Sequence, residues 1–336
     1  MRAFPLAAAV AALVAAIGCA GDTERSAGRT QSQDAAVAAS ADRWRSLNPA
    51  MLSRTEVGAA RIGRFIYVVG GFVRSGATTA AVERYDIRRD RWRRLPPIPV
   101  AVNHPAVAAS RGRLYVYGGY TDSSFATVTG ALQRFDPRSR RWVKLAPSPT
   151  PRAAAALVAT QGRLFAVGGA AAGRPLALVE VFDPASGRWR QGPPMGVARE
   201  HIAASAARGG IYVVGGRVGG RNLSTVERYD PRRRSWRRLP SMRVARSGIA
   251  AVTVDGDVIV FGGEELAPGG ETIRPVERFD PVRGRWTWLP GMLTPRHGLG
   301  GVSLGRRVYA LEGGPTPGFA FSRRIEFLDV RRPAGG

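Results

Sequence analysis

Five arginines stand ten residues after five tryptophans: Arg54, Arg152, Arg199, Arg246 and Arg296 follow Trp44, Trp142, Trp189, Trp236 and Trp286. A guanidinium is permanently charged and presents a planar fork of donors that fits a carboxylate or a phosphate. Five of them at equivalent places have two readings. Around one opening they form a polycationic mouth for an acidic ligand; within the scaffold they cap strands and hydrogen-bond carbonyls of the neighbouring repeat. The sixth interval ends at Val102, beside Asn103 and His104. Histidine also recurs, at His104, His201 and His297, in alternate repeats. His297 is one residue out of step, and three imidazoles across a wide ring would have to converge within about 2.1 Å of one ion. Neither a metal site nor a cofactor is therefore expected. Glu264 and Glu265 place two carboxylates amid the positive charge, as ion-pair partners of the arginines rather than catalysts.

A tandem repeat positions these residues. Six times an apolar run ends in Gly-Gly, at Gly70, Gly118, Gly168, Gly215, Gly262 and Gly313, and each first glycine lies 26 residues after a tryptophan, or 27 in the last unit. One unit shows the elements. Residues 211–214 are β-branched and aromatic, 225–230 alternate apolar with polar, 231–234 form a turn, and 235–239 carry Trp236. The small apolar run 247–254 and the hairpin signal Gly256-Asp257 complete a four-stranded meander of about 48 residues. Six such meanders bury their apolar faces by radial stacking, which predicts an all-β, six-bladed β-propeller over residues 42–330.

Gly-Gly after an apolar strand, Val226-Glu227-Arg228-Tyr229-Asp230 and its variants, and the later tryptophan together resemble the Kelch repeat. The resemblance recurs in every unit over roughly residues 43–330. It implies a propeller scaffold shared by binding proteins and enzymes. Kelch proteins that grip acidic peptides use arginines near the channel mouth, which the resemblance would carry to the five arginines here. The last unit lacks a tryptophan strand, whereas the segment around Trp44 has no blade of its own, so this N-terminal outer strand is expected to close the ring. The repeated glutamate of the third strands is expected to pair structurally with an arginine of an adjacent strand.

Strand direction puts the loops after Gly-Gly and the crossovers between blades on one face, here called face A. Loop length varies on that face: from the first glycine of each pair to the glutamate or Gln133 of the next strand the intervals are 13, 15, 12, 12, 15 and 13. From that residue to the following tryptophan the interval is always 9. Variable loops on a rigid scaffold are where recognition concentrates. Phe72, Tyr120, Phe125, Phe319 and Phe321 stand on these loops and can stack on sugar rings or peptide side chains, or pack on their own blades. The expected binding set is Arg54, Arg152, Arg199, Arg246, Arg296, His104, Tyr120 and Glu264. On that reading, Arg199→Glu with Arg246→Glu abolishes ligand capture and leaves the melt nearly unchanged.

Residues 1–19 run from Arg2 through an apolar stretch to Gly18-Cys19, a secretory signal too short to span a bilayer. Residues 16–19 resemble a lipoprotein cleavage box with Ala16 in place of the usual leucine, so lipidation of Cys19 is expected, with ordinary cleavage as the alternative. Residues 20–41 read as a flexible linker and 331–336 as a tail. The expected location is the bacterial cell envelope, through a lipid anchor, or the periplasm or exterior. Cys19 is the sole cysteine, which excludes an internal disulfide and a cysteine–tyrosine copper-radical centre of the galactose-oxidase kind. The formal charge of +25 comes from 50 basic residues, all arginine except Lys144. A ratio so lopsided points to GC-rich coding more than to a polyanion site, and no specific nucleic-acid partner is expected.

These features lead to a monomeric, noncatalytic propeller that presents face A to an acidic peptide, protein or anionic glycan. The alternative is an enzyme like the periplasmic sialic-acid mutarotases, which the chain resembles in blade number and export; an arginine would hold the sugar carboxylate while Glu200, Glu264 or Glu265 exchanged the anomeric proton.

Overall fold

The computed structural model describes residues 43–331; segments 1–19 and 20–41, with Cys19, and residues 332–336 lie outside them. Six four-stranded antiparallel sheets follow one another along the chain. Blade one comprises Gly58–Ile62, Phe65–Val69, Val82–Asp86 and Arg91–Leu95, and the others repeat that order from the channel outward. Second strands such as Phe65–Val69 are almost wholly buried because neighbouring blades cover both of their faces, so they read as continuous apolar runs. Outer strands such as Arg91–Leu95 keep one face in water and alternate accordingly.

In blades one to five the tryptophan of the outer strand packs on the aromatic residue opposite it, as in Tyr229 and Trp236 at 5.1 Å between ring centres. Its indole N–H donates to a carbonyl at the exit of the preceding blade: Trp142 to Pro96 at 2.9 Å, Trp236 to Pro193 at 2.9 Å, Trp286 to Pro240 at 2.9 Å. The repeated indole is therefore a staple between blades.

Gly-Gly has a separate role. Gly71 N donates to Val102 O at 2.9 Å, and the pattern travels around the ring to Gly313 N on Arg54 O at 3.0 Å. Gly70 and Gly71 adopt φ of 66° and 91°, and a Cβ would meet Val102 O at 2.4 Å from the first and Thr55 O at 2.5 Å from the second. Only glycine permits the turn and the close approach together.

The ring closes as its ends imply. Arg45–Ser46 pairs antiparallel with Ile325–Asp329 and supplies the fourth strand of blade six. Trp44 is buried among Phe261, Val276, Met292 and Leu328, and its indole donates to Pro290 O at 2.9 Å. Among the described residues no helix is long and apolar enough to cross a membrane.

Candidate functional site

The five arginines do not form the mouth. Arg54, Arg152, Arg199, Arg246 and Arg296 are all 0% exposed, and each side chain runs into its own blade rather than into the channel. Arg199 donates to Gly215 O, Thr225 O and Glu227, and Arg246 to Gly262 O, Pro275 O and Glu277. Each therefore bridges the second and third strands, with the repeated glutamate of the third strand as its partner. The expectation of an arginine-lined mouth is overturned by this burial. A glutamate at position 199 or 246 would face another carboxylate inside the core, so the double Arg→Glu change must collapse the fold rather than spare the melt. Blade two shows the rule by its exception: Val102 replaces the arginine, and its partner position is the uncharged Gln133, which accepts from Val100 N at 2.8 Å.

Arg54 is shared between Glu83 at 2.9 Å and Glu312 at 2.8 Å, all fully buried. One positive charge cannot hold two negative ones in a core; burial, opposed by Arg54, pushes the Glu312 carboxyl up to about 7 from its ordinary 4.5. The folded chain thus binds a proton here that the unfolded chain releases above its ordinary value. The associated stability is present below 4.5 and lost as pH rises through about 7. The melting temperature should fall between pH 5.5 and 8 by less in Glu312→Gln than in the native chain; equal falls would contradict the shared proton.

The mouth is built from the residues next to these arginines. In five blades the residue after the arginine position bridges to the residue after Gly-Gly, Thr55 to Phe72, Asn103 to Tyr120, Ala153 to Ala170, Glu200 to Arg217 and Ser247 to Glu264; in blade six, where Glu312-Gly313 take the places of Gly-Gly, His297 bridges to Gly314. One residue further on lies a neck. Glu56, His104, Ala154, His201, Gly248 and Gly298 all have positive φ, between 50° and 66°. Their backbones hydrogen-bond around the ring: His104 N to Glu56 O, Ala154 N to His104 O, His201 N to Ala154 O, Gly248 N to His201 O and Gly298 N to Gly248 O. Val57 N on Gly298 O at 3.2 Å completes the circuit.

Above the neck, on face A, lies a half-enclosed recess of about 440 Å³. Phe72, Tyr120, Phe125 and Phe319 wall one side, with ring centres 5.1 Å apart for Phe72 and Phe319 and 5.2 Å for Tyr120 and Phe125. Phe125 and Phe319 are 42% and 56% exposed. The loop that projects Phe125 is tied by the Asp122 carboxylate, which accepts from the backbone N–H groups of Ser124, Ala126 and Thr127 and from the Ser124 hydroxyl. Those bonds hold the Asp122 carboxyl well below the usual range.

The floor is polar and internally paired. Glu56 lies 3.1 Å from His104 Nε2 and 3.2 Å from His297 Nδ1, and Glu264 lies 3.4 Å from His297 Nδ1. Glu200 lies 2.5 Å from His201 Nδ1 and 2.8 Å from Arg217 Nε. Burial pulls His104 down to about 3 against the pull of Glu56. For Glu56, burial raises the carboxyl but the imidazoles of His104 and His297 outweigh it and keep it ionised. Burial likewise lowers His297, and the hydrogen bond and charge of Glu56 with Glu264 overcome it, so this imidazole is raised. Burial raises Glu200, and the hydrogen bonds and charges of His201 and Arg217 bring it down to about 2. Such a floor offers fixed acceptors and donors to a polar ligand.

Of the expected binding set, His104, Tyr120 and Glu264 line the recess and the five arginines do not. Glu264 pairs with Arg217 and His297 rather than with the buried arginines, and Glu265 is exposed. Phe321 lines a separate groove with Arg74 and Arg323. The histidines converge more than their spacing implies: His104 and His201 stand 4.7 Å apart at their ring centres because only the small Ala154 separates them on the neck. Glu56 and Arg217 were not singled out in the sequence, although each sits at a countable offset from the arginine position or from Gly-Gly.

A ring of six meanders stapled by indoles and Gly-Gly contacts, with a recess at the loops after Gly-Gly, defines a Kelch-repeat propeller. The chain belongs to that family: the KLHDC2/KLHL20/DRC7 Kelch-repeats domain matches residues 56–263, and the Kelch motif matches residues 245–293. Among solved structures, that of YjhT is similar in fold, with a TM-score of 0.74 at 15% identity over 85% of this chain and 97% of that chain. No curated protein matches the sequence.

Proposed function

We propose that the recess binds one sugar-sized polyhydroxy ligand, free or as the end of a glycan, and that the protein is a noncatalytic recognition propeller of the cell envelope. One observation carries this reading: a single recess of about 440 Å³ faces an aromatic wall on one side and a floor of carboxylates, imidazoles and Arg217 on the other. Its volume suits a small ligand rather than a protein surface. The C–H faces of a pyranose pack on aromatic rings, and its hydroxyls both donate to carboxylates and accept from a guanidinium. Two carboxylates, Glu200 and Glu264, pair with Arg217 and a third, Glu56, also lines the recess, which favours a neutral or singly acidic sugar over an acidic peptide. The export signal and Cys19 supply the envelope location in this reading, with the propeller acting as a monomer.

A mutarotase is the second reading, favoured by Glu200, His201 and Arg217 lying together on the floor. A carboxylate brought down to about 2 is a weak base at neutral pH, which counts in favour of binding without turnover. Calorimetric titration of a panel of neutral and acidic monosaccharides, sialic acid included, should give one saturable site for at least one member. Absence of binding across the panel would overturn the proposal. Accelerated interconversion of sialic-acid anomers, followed by NMR with the same sample, would transfer the site to the enzyme reading.

A further inference from the structure

We infer that Glu56, His104 and His201 form a binding site for one divalent transition-metal ion, zinc being the ion they suit best, at the neck where the recess meets the channel. The argument begins with the backbone. Gly248 and Gly298 show what the neck conformation asks for, since a φ of 66° or 57° suits glycine, and Ala154 is the smallest side chain. Glu56, His104 and His201 occupy the same conformation at φ 53°, 52° and 50° and carry metal-ligating heads instead. Their ligand atoms lie within 4.8 Å of one another. His104 Nε2 and Glu56 Oε2 are 3.1 Å apart, close to the ~3.3 Å edge of a tetrahedron with metal–ligand bonds of about 2.0 Å.

The hydrogen bonds around the cluster set the histidine tautomers. His104 Nδ1 lies 2.6 Å from Asn103 Oδ1. That amide is held in one orientation because Asn103 Nδ2 donates to Thr78 Oγ1 at 2.7 Å and to Asp122 O at 2.8 Å. The proton of a neutral His104 therefore belongs on Nδ1, and the Nε2 lone pair faces the Glu56 carboxylate. Two acceptors at that separation are bridged by a cation, either a proton on Nε2 or a metal ion in its place. His201 is arranged alike: Nδ1 bonds the Glu200 carboxylate at 2.5 Å, which leaves Nε2 as an acceptor, now taking a hydrogen bond from Arg217 Nη2 at 2.9 Å. A ligating histidine normally has its other ring nitrogen fixed by such a carbonyl or carboxylate.

Two imidazoles and one carboxylate suit zinc and its neighbours better than magnesium or calcium, which prefer oxygen alone. Three protein ligands leave a further position for water or a ligand hydroxyl. A bound ion would take the His201 lone pair from Arg217, whose guanidinium is already held by Glu200 at 2.8 Å and Glu264 at 3.4 Å. The second cluster, Glu56 with Glu264 and His297, needs no ion, because the His297 Nδ1–H already lies between both carboxylates.

This inference stands apart from sugar recognition, which can be measured in the presence of EDTA. Tag-free full-length protein stripped with EDTA and dialysed should take up one zinc ion per chain, measured by elemental analysis and calorimetry, and should melt higher with zinc. His104→Ala and His201→Ala should each weaken binding by at least roughly tenfold, while Arg217→Met should bind as well as or better than the native chain. Cobalt substitution provides a readout that needs no variant: intense visible absorption of a four-coordinate nitrogen-ligated ion is expected. No stoichiometric uptake, a pale octahedral cobalt spectrum, or native affinity in both histidine variants would overturn the site.

Discussion

Arg246→Val should cost about 3–5 kcal/mol of folding stability, and adding Glu277→Gln should restore roughly half of that loss. Arg246 and Glu277 are both fully buried and 2.9 Å apart, so deleting the cation leaves a carboxylate and the Gly262 and Pro275 carbonyls without their donor in a dry core. Glu277 keeps bonds from Arg243 N at 2.7 Å and Val244 N at 3.2 Å, which limits the damage without neutralising the charge. The second change follows a pattern already in the chain, because Val102 and Gln133 occupy the same two places in blade two. Denaturant unfolding of the two single variants and the double variant gives the coupling directly. A double variant as unstable as the sum of the singles would show that the blade-two arrangement does not transfer.

Trp44→Ala should be as severe, again about 3–5 kcal/mol, since it removes a large buried side chain and the staple to Pro290 that anchors the N-terminal strand, whose pairing with the last strand of blade six is the one seam that chain connectivity does not secure. Its ring lies 5.7 Å from Phe261 in the core between blades five and six. Deleting residues 42–48 should go further, because Arg45 and Ser46 pair with Phe327 and Glu326 and would leave that strand as an open edge. Thermal melts of both variants test the closure, and an unchanged melting temperature in the deletion would count against it.

The architecture was legible in the sequence because each repeat carries the same physical solution. The tryptophan recurs because every blade needs a staple, and Gly-Gly recurs because every blade lets a neighbouring carbonyl approach within contact of its backbone. The same uniformity misled the reading of the arginines. A constant interval from tryptophan to arginine, like the constant 9 from the strand glutamate to tryptophan, marks a part every blade needs to fold. The joint change to Val102 and Gln133 was the available sign that the two positions are partners.

The recess was legible in its place and not in its chemistry. Variable loop lengths after Gly-Gly pointed to face A, and residues directly after Gly-Gly, among them Phe72, Tyr120, Arg217 and Glu264, line the recess that the proposal takes as the site. What linear spacing could not reveal is the neck, where a left-handed backbone turns every sixth of the ring inward and brings residues 48 and 145 positions apart, Glu56 with His104 and with His201, into one cluster. The net charge of +25 gave no help, because the recess itself gathers carboxylates.

The central claim is that ligand enters at the aromatic wall and the paired floor of face A, not at the buried arginines and not at the exposed basic turns, such as those carrying Arg88 and Arg138, that join the third and fourth strands on the opposite face. The most direct test uses the tightest monosaccharide of the panel with Phe125→Ala combined with Phe319→Ala, two exposed side chains whose loss should leave the melt within a few degrees, beside a control carrying Arg88→Ala and Arg138→Ala. The account predicts at least roughly tenfold weaker binding for the aromatic pair and unchanged binding for the control. Native affinity in the aromatic pair together with loss in the arginine control would contradict it.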